Sequence, residues 1–107
     1  MSRDTERELR QLNLLQERLA GFSTGDLYIA KVVSDLEGLL AELELTPVEW
    51  KDRFIHEWSQ LEIAYAVSMN DQAPIPDVSD PSLMKATRNM QVLVQERMNA
   101  LDPSDRE

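Results

Sequence analysis

The stretch PVEWKDRFIHEWSQLEIAY, residues 47–65, places large apolar side chains at the spacing of an α-helix. At about 100° per residue, Trp50, Phe54, Trp58, Leu61 and Tyr65 fall within an arc of roughly 80° on a helical wheel. A stripe of this kind is typical of one side of a hydrophobic core. We therefore expect the stripe to be buried, with hydrogen-bond partners for its indole N–H groups.

The rest of the chain also favours helix, because Leu, Glu, Ala, Arg and Gln dominate and there are only three glycines. A chain of 107 residues is the size of one domain. We expect a compact all-α domain, a four-helix bundle, because apolar residues recur at helical spacing in four segments. The expected helices span about 4–20, 24–43, 47–69 and 81–101, with a frayed tail over 102–107.

Turn-forming residues predict where the first two helices meet. Gly21 is expected to end the first helix, since glycine readily adopts the left-handed cap conformation. Ser23 or Thr24 is then expected to cap the second helix. Gly38 lies opposite the apolar stripe of that second helix, and no sequence feature explains it.

Two further start signals occur later in the chain. In TPVE, Thr46 is expected to cap the third helix, with Pro47 at its first helical position and Glu49 completing a capping box. Asp80 and Pro81 are expected to start the fourth helix. Between the third and fourth helices, residues 70–82 include three prolines, which predicts either a packed loop or a functional one.

The residues that carry enzymatic or metal chemistry are scarce. Cysteine is absent, and His56 is the one histidine. HEWSQ approaches the zinc-protease pattern H-E-x-x-H, but Gln60 stands at the second ligand position. A di-iron Glu-x-x-His pair is missing too, because Arg53 lies three residues before His56. We expect no catalytic residues, no metal site and no cofactor, and we expect His56 to be exposed.

Charge is distributed unevenly along the chain. Residues 26–80 contain twelve acidic and three basic residues, which accounts for the whole net charge of −9. Such a segment repels nucleic acid and attracts basic partners. The N-terminus is charged and unlike a signal peptide, and no apolar run approaches a membrane span. We expect a cytoplasmic protein that binds neither nucleic acid nor membranes.

A family resemblance extends over residues 22–66. Phe22 and Gly25 are followed by Asp35-Leu36-Glu37 and Leu39-Leu40, and then by Trp50, Phe54, Trp58, Leu61-Glu62 and Tyr65-Ala66. This pattern resembles small acidic helical immunity proteins of bacterial polymorphic or contact-dependent toxin systems. The resemblance implies a non-catalytic antitoxin that binds and blocks one cognate toxin domain.

The charge pattern suggests how such a partner would be bound. A nuclease-type toxin domain carries a basic cleft, and a carboxylate-rich surface can occupy it with steered association. The alternative is a homo-oligomeric structural or adaptor protein, such as a homodimer. The candidate partner-binding residues are Asp35, Glu37, Glu42, Glu44, Glu49 and Asp52, followed by Asp71, Asp77 and Asp80.

Overall fold

A computed structural model describes residues 3–72, 74–77 and 79–101, so the expected frayed tail over 102–107 lies outside the described residues. These residues form no strand and four α-helices: α1 Arg3–Ser23, α2 Ile29–Ala41, α3 Val48–Asn70 and α4 Pro81–Leu101. Each helix packs on the next, and α1 also packs on α4, so the helices surround one core. Trp50 at the start of α3 contacts Leu93 in the second half of α4, and Trp58 further along α3 contacts Val33 in the first half of α2, as antiparallel neighbours require. The expected all-α four-helix bundle is confirmed.

The aromatic stripe of α3 lies on the core. Phe54 and Leu61 are completely buried, and Trp50, Trp58 and Tyr65 are partly buried against them. Both indoles find polar partners on neighbouring helices. The Trp50 Nε1–H donates to the carbonyl of Leu93 in α4, and the Trp58 Nε1–H donates to the carbonyl of Val33 in α2, both at 2.9 Å. The predicted indole partners are confirmed, and the predicted burial is confirmed for Phe54 and Leu61, whereas Trp50, Trp58 and Tyr65 are only partly buried.

The predicted end of α1 at Gly21 is wrong. The helix continues to Ser23, and Gly25 takes the left-handed conformation with φ +84°. The Asp26 N–H then donates to the Gly21 carbonyl at 2.8 Å, which satisfies a free carbonyl of the last turn. Gly21 serves a different purpose, because a Cβ there would lie 2.6 Å from Cδ1 of Leu27. Glycine at 25 therefore suits the left-handed turn, and glycine at 21 leaves room for the Leu27 side chain.

The second helix begins later than predicted. Ser23 lies in α1, and Thr24 caps nothing, since its hydroxyl bonds to the Gly21 carbonyl and to the carboxylate of Asp26. Helix α2 starts at Ile29 and ends at Ala41, not at 24 and 43. Leu43 is nevertheless buried beyond its end.

The predicted capping residue is wrong for α3, whereas the predicted start of α4 is right. Thr46 does not cap α3, because Pro47 occupies the N-cap without a side-chain bond. The predicted capping box with Glu49 is wrong, and so is the predicted place of Pro47 as first helical residue, since α3 begins at Val48. The expectation for α4 is confirmed. Asp80 accepts the Ser82 N–H at 2.9 Å, and Pro81 is the first helical residue.

We expect Gly38→Ala to stabilise the protein by about 0.5–1 kcal/mol, since alanine is a better helix former than glycine. Gly38 is exposed within α2, and a Cβ there meets no atom within 4 Å. Urea unfolding measures the change. Gly25→Ala is the matched control and should destabilise, because its positive φ disfavours a side chain. A destabilised Gly38→Ala variant would contradict the expectation.

Candidate partner-binding surface

Three of the predicted partner-binding acids are already paired within the bundle. The Asp35 carboxylate lies 2.9 Å from Nε of Arg18 and 3.3 Å from Nζ of Lys31. Glu42 and Glu44 each lie 3.1 Å from a guanidinium nitrogen of Arg7. These pairs are partly or largely solvent-exposed and contribute little stability. They do place a positive charge beside each of the three carboxylates.

The other predicted acids are exposed, except for Asp80, which is half-buried, and none forms an ion pair with another described residue. The structure does not gather them into one cluster. Asp52 lies near the start of α3, whereas Asp71 follows its end, so about 28 Å of helix separates them at 1.5 Å per residue. The unpaired acids thus form two groups. Glu37, Glu49 and Asp52 lie on α2 and on the first turns of α3, and Asp71, Asp77 and Asp80 lie at the other end of α3.

A buried carboxylate organises the turn between α2 and α3. Glu8 is 2% exposed. Its Oε1 accepts the Glu44 N–H at 3.0 Å, and its Oε2 accepts the Leu45 N–H at 3.0 Å and the Thr46 hydroxyl at 2.6 Å. Hydrogen bonding of this kind compensates the cost of burying a charged group. Glu8 therefore fastens this turn to α1.

Sequence reasoning missed Glu8, although a signal for it existed. The buried residues of α1 follow a spacing of four, three, four and three, and Glu8 occupies the first of these core positions. A glutamate at a core position needs partners, and the partners are supplied by a turn more than thirty residues away. The remaining buried positions of this series are Leu12, Leu15, Leu19 and Phe22.

Two further side chains hold the same turn from other helices. The Lys51 ammonium of α3 donates to the Leu43 carbonyl at 2.6 Å. The Arg97 guanidinium of α4 donates to the Leu45 carbonyl at 3.0 Å. Helices α1, α3 and α4 thus all bind the α2–α3 turn.

The opposite end of the bundle contains an apolar cavity of about 290 Å³. It lies between the α1–α2 turn and the segment that follows α3. Residues 75–77 of this segment form one side of the cavity, and Asp77 belongs to its wall. The lining residues are Phe22, Gly25, Leu27, Tyr28, Ile29, Ile75, Pro76 and Asp77.

Ser79, two residues further along the chain, stabilises the ionised form of Asp77. Its Oδ1 accepts the Ser79 hydroxyl at 2.6 Å and the Ser79 N–H at 2.8 Å. The hydroxyl bond, followed by the backbone bond, lowers the pKa of Asp77 below its ordinary value. Asp77 thus keeps its negative charge to a lower pH than a free aspartate does.

A shallow polar groove of about 360 Å³ lies between α3 and α4. Arg53, His56, Glu57 and Glu96 contribute to its lining, and Glu57 accepts a hydrogen bond from the Asn89 amide at 3.2 Å. His56 is exposed, as expected. No group of three or more His, Cys, Asp or Glu side chains within the described ranges is placed to hold a metal ion.

Comparisons with known proteins returned no match to a protein family, to a curated protein or to a solved structure. A search of the described helices found none with the length and apolar character needed to cross a membrane.

Proposed function

We propose that this protein is a non-catalytic binding protein that neutralises a basic protein partner, as immunity proteins neutralise nuclease-type toxin domains. The main support is the set of exposed acids without an ion pair among the described residues, chiefly Glu49, Asp52, Asp71 and Asp77. The resemblance of residues 22–66 to helical immunity proteins gives the class of partner. The site works by binding alone and uses no cofactor or metal.

The arrangement of charge favours a protein partner with a basic surface. Exposed carboxylates that form no ion pair attract an approaching basic domain and repel nucleic acid. Arg7 and Arg18 offset the charges of Glu42, Glu44 and Asp35. The binding role therefore falls first to the unpaired acids and only second to these three.

The proposal is tested by co-expression and then by binding kinetics. If a toxin-bearing reading frame lies beside the gene, its product is the candidate partner, and we expect co-expression of this protein to rescue the growth of cells that produce the toxin domain. On a surface plasmon resonance chip, the association rate constant should fall about tenfold or more as salt rises, because added salt screens steering.

Charge reversal distinguishes the surfaces. We expect Glu49→Lys/Asp52→Lys to weaken binding at least about tenfold, since like charges then face the partner. Glu6→Lys/Glu17→Lys, two exposed positions of α1, is the matched control and should bind nearly as the wild type does. Salt-independent association together with full affinity after reversal at Glu49, Asp52, Asp71 and Asp77 would refute the proposal.

A second candidate function is assembly into a homo-oligomer, and it is favoured by exposed apolar side chains on α3. Val48, Ile55, Ile63 and Val67 are large apolar residues that remain exposed on this helix. A homodimer that buries these side chains against a second copy of the chain is the alternative to binding a basic partner. Sedimentation equilibrium distinguishes the two candidate functions. A wild-type dimer that becomes a monomer in Ile63→Lys/Val67→Lys favours assembly, whereas a monomeric wild type favours partner binding.

A further inference from the structure

The cavity between the α1–α2 turn and residues 74–77 combines a buried apolar floor with an exposed apolar rim. Phe22 and Ile29 of the floor belong to the core and are each 1% exposed. Tyr28 and Ile75 of the rim are 81% and 60% exposed. Two large apolar side chains therefore stand in water beside an opening that leads to the core.

The dimensions of the cavity limit what can enter it. Its volume of about 290 Å³ lies at the lower end of the range of clefts that hold drug-sized ligands, roughly 300–1,000 Å³. A single bulky side chain of a protein partner fits such a space. Side chains that fill pockets of this kind contribute most of the affinity in many interfaces, and aromatic residues are common among them.

The charges around the opening indicate the flanking chemistry of the occupant. Asp77 lines the cavity, and Asp26 lies between two lining residues, Gly25 and Leu27. Both carboxylates are exposed, and neither is ion-paired within the described part of the chain. Asp71 and Asp80 belong to the same connecting segment. An occupant with positive charge on either side of an apolar group complements this rim.

We propose that this cavity is an anchor site for the basic protein partner, and that it takes one aromatic or large aliphatic side chain presented between lysines or arginines. The inference rests on the proposed function and adds to it the place and the chemistry of the central contact. Tyr28 and Ile75 close over the inserted side chain, while Asp26 and Asp77 face the flanking cations.

The test uses the intact protein and short peptides followed by ¹H–¹⁵N NMR. One peptide carries a central phenylalanine between lysines, a second has alanine in its place, and a third keeps the phenylalanine between serines. We expect the first to shift the amide signals of residues 25–29 and 75–77, and to bind at least about tenfold more tightly than either of the others.

Variants of the rim provide the matched comparison. Tyr28→Ala/Ile75→Ala should weaken the first peptide at least about tenfold, and circular dichroism should show unchanged helix because both side chains are exposed. Val92→Ala, which removes an exposed apolar side chain from α4, should leave binding unchanged.

Two results would overturn the inference, and they separate it from the proposed function. If both lysine peptides bind equally and shift signals around Glu49 and Asp52, the anchor is wrong while the basic-partner function stands. If no lysine peptide shifts any signal even at low salt, both the anchor and the proposed function are contradicted.

Discussion

Replacing Glu8 with glutamine should lower the free energy of unfolding by about 3 kcal/mol. The carboxylate accepts three hydrogen bonds, from two backbone N–H groups and the Thr46 hydroxyl. Glutamine supplies one acceptor oxygen and turns an NH₂ group toward donors that can no longer be satisfied. Hydrogen bonds to a charged group contribute roughly 1.5–3 kcal/mol each, and a buried donor left unpaired costs roughly 1–3 kcal/mol. Urea unfolding followed by circular dichroism measures the loss.

Two further variants test whether the loss of stability follows the number of hydrogen bonds removed. Thr46→Val removes one of the three bonds and should cost about 1 kcal/mol. Glu6→Gln changes an exposed glutamate on the same helix, so its effect should stay within about 0.5 kcal/mol. A Glu8→Gln variant as stable as Glu6→Gln would show that the α2–α3 turn does not depend on the buried carboxylate.

The helices and the core of α3 could be predicted because their signal is local. Phe54 and Leu61 repeat at helical spacing within a stripe of large side chains, and both are buried as that pattern predicts. Helix-capping residues were harder to predict, because a short polar side chain can hydrogen-bond to other nearby groups instead of the helix N-terminus. Thr46 bonds to Glu8 across more than thirty residues of chain, and Thr24 bonds within its own turn, so neither caps a helix.

The charge pattern along the chain did not give the charge pattern of the surface. Residues 1–25 sum to zero, yet Arg7 and Arg18 from this segment reach the acids of α2 and of the turn after it. Part of the negative charge of residues 26–80 is therefore compensated by arginines of α1. Antiparallel packing of α1 on α2 produces these pairs, and the sequence alone does not specify which side chains meet.

The apolar cavity had no local signal at all. Its two sides, at residues 22–29 and 75–77, are separated by more than forty residues, and only the closed arrangement of the helices brings them together. The prolines of the connecting segment indicated a loop that is either packed or functional. In the structure, residues 75–77 of this segment form one side of the cavity, and Ile75 is 60% exposed.

Replacing Trp58 with alanine should lower the free energy of unfolding by roughly 3–5 kcal/mol, as truncation of large aromatic residues in cores does. Trp58 packs against the core and also donates its indole N–H to the Val33 carbonyl at 2.9 Å, which joins α3 to α2. Trp58→Phe keeps much of the apolar contact and loses this bond, so it should cost only about 1–2 kcal/mol. Ile63→Ala, on the exposed side of α3, is the matched control and should cost less than about 1 kcal/mol. Circular dichroism in urea compares all three without relying on tryptophan fluorescence. A loss below about 1 kcal/mol in Trp58→Ala would mean that the indole contributes little to the core, and Trp58 would then become a candidate for partner contact.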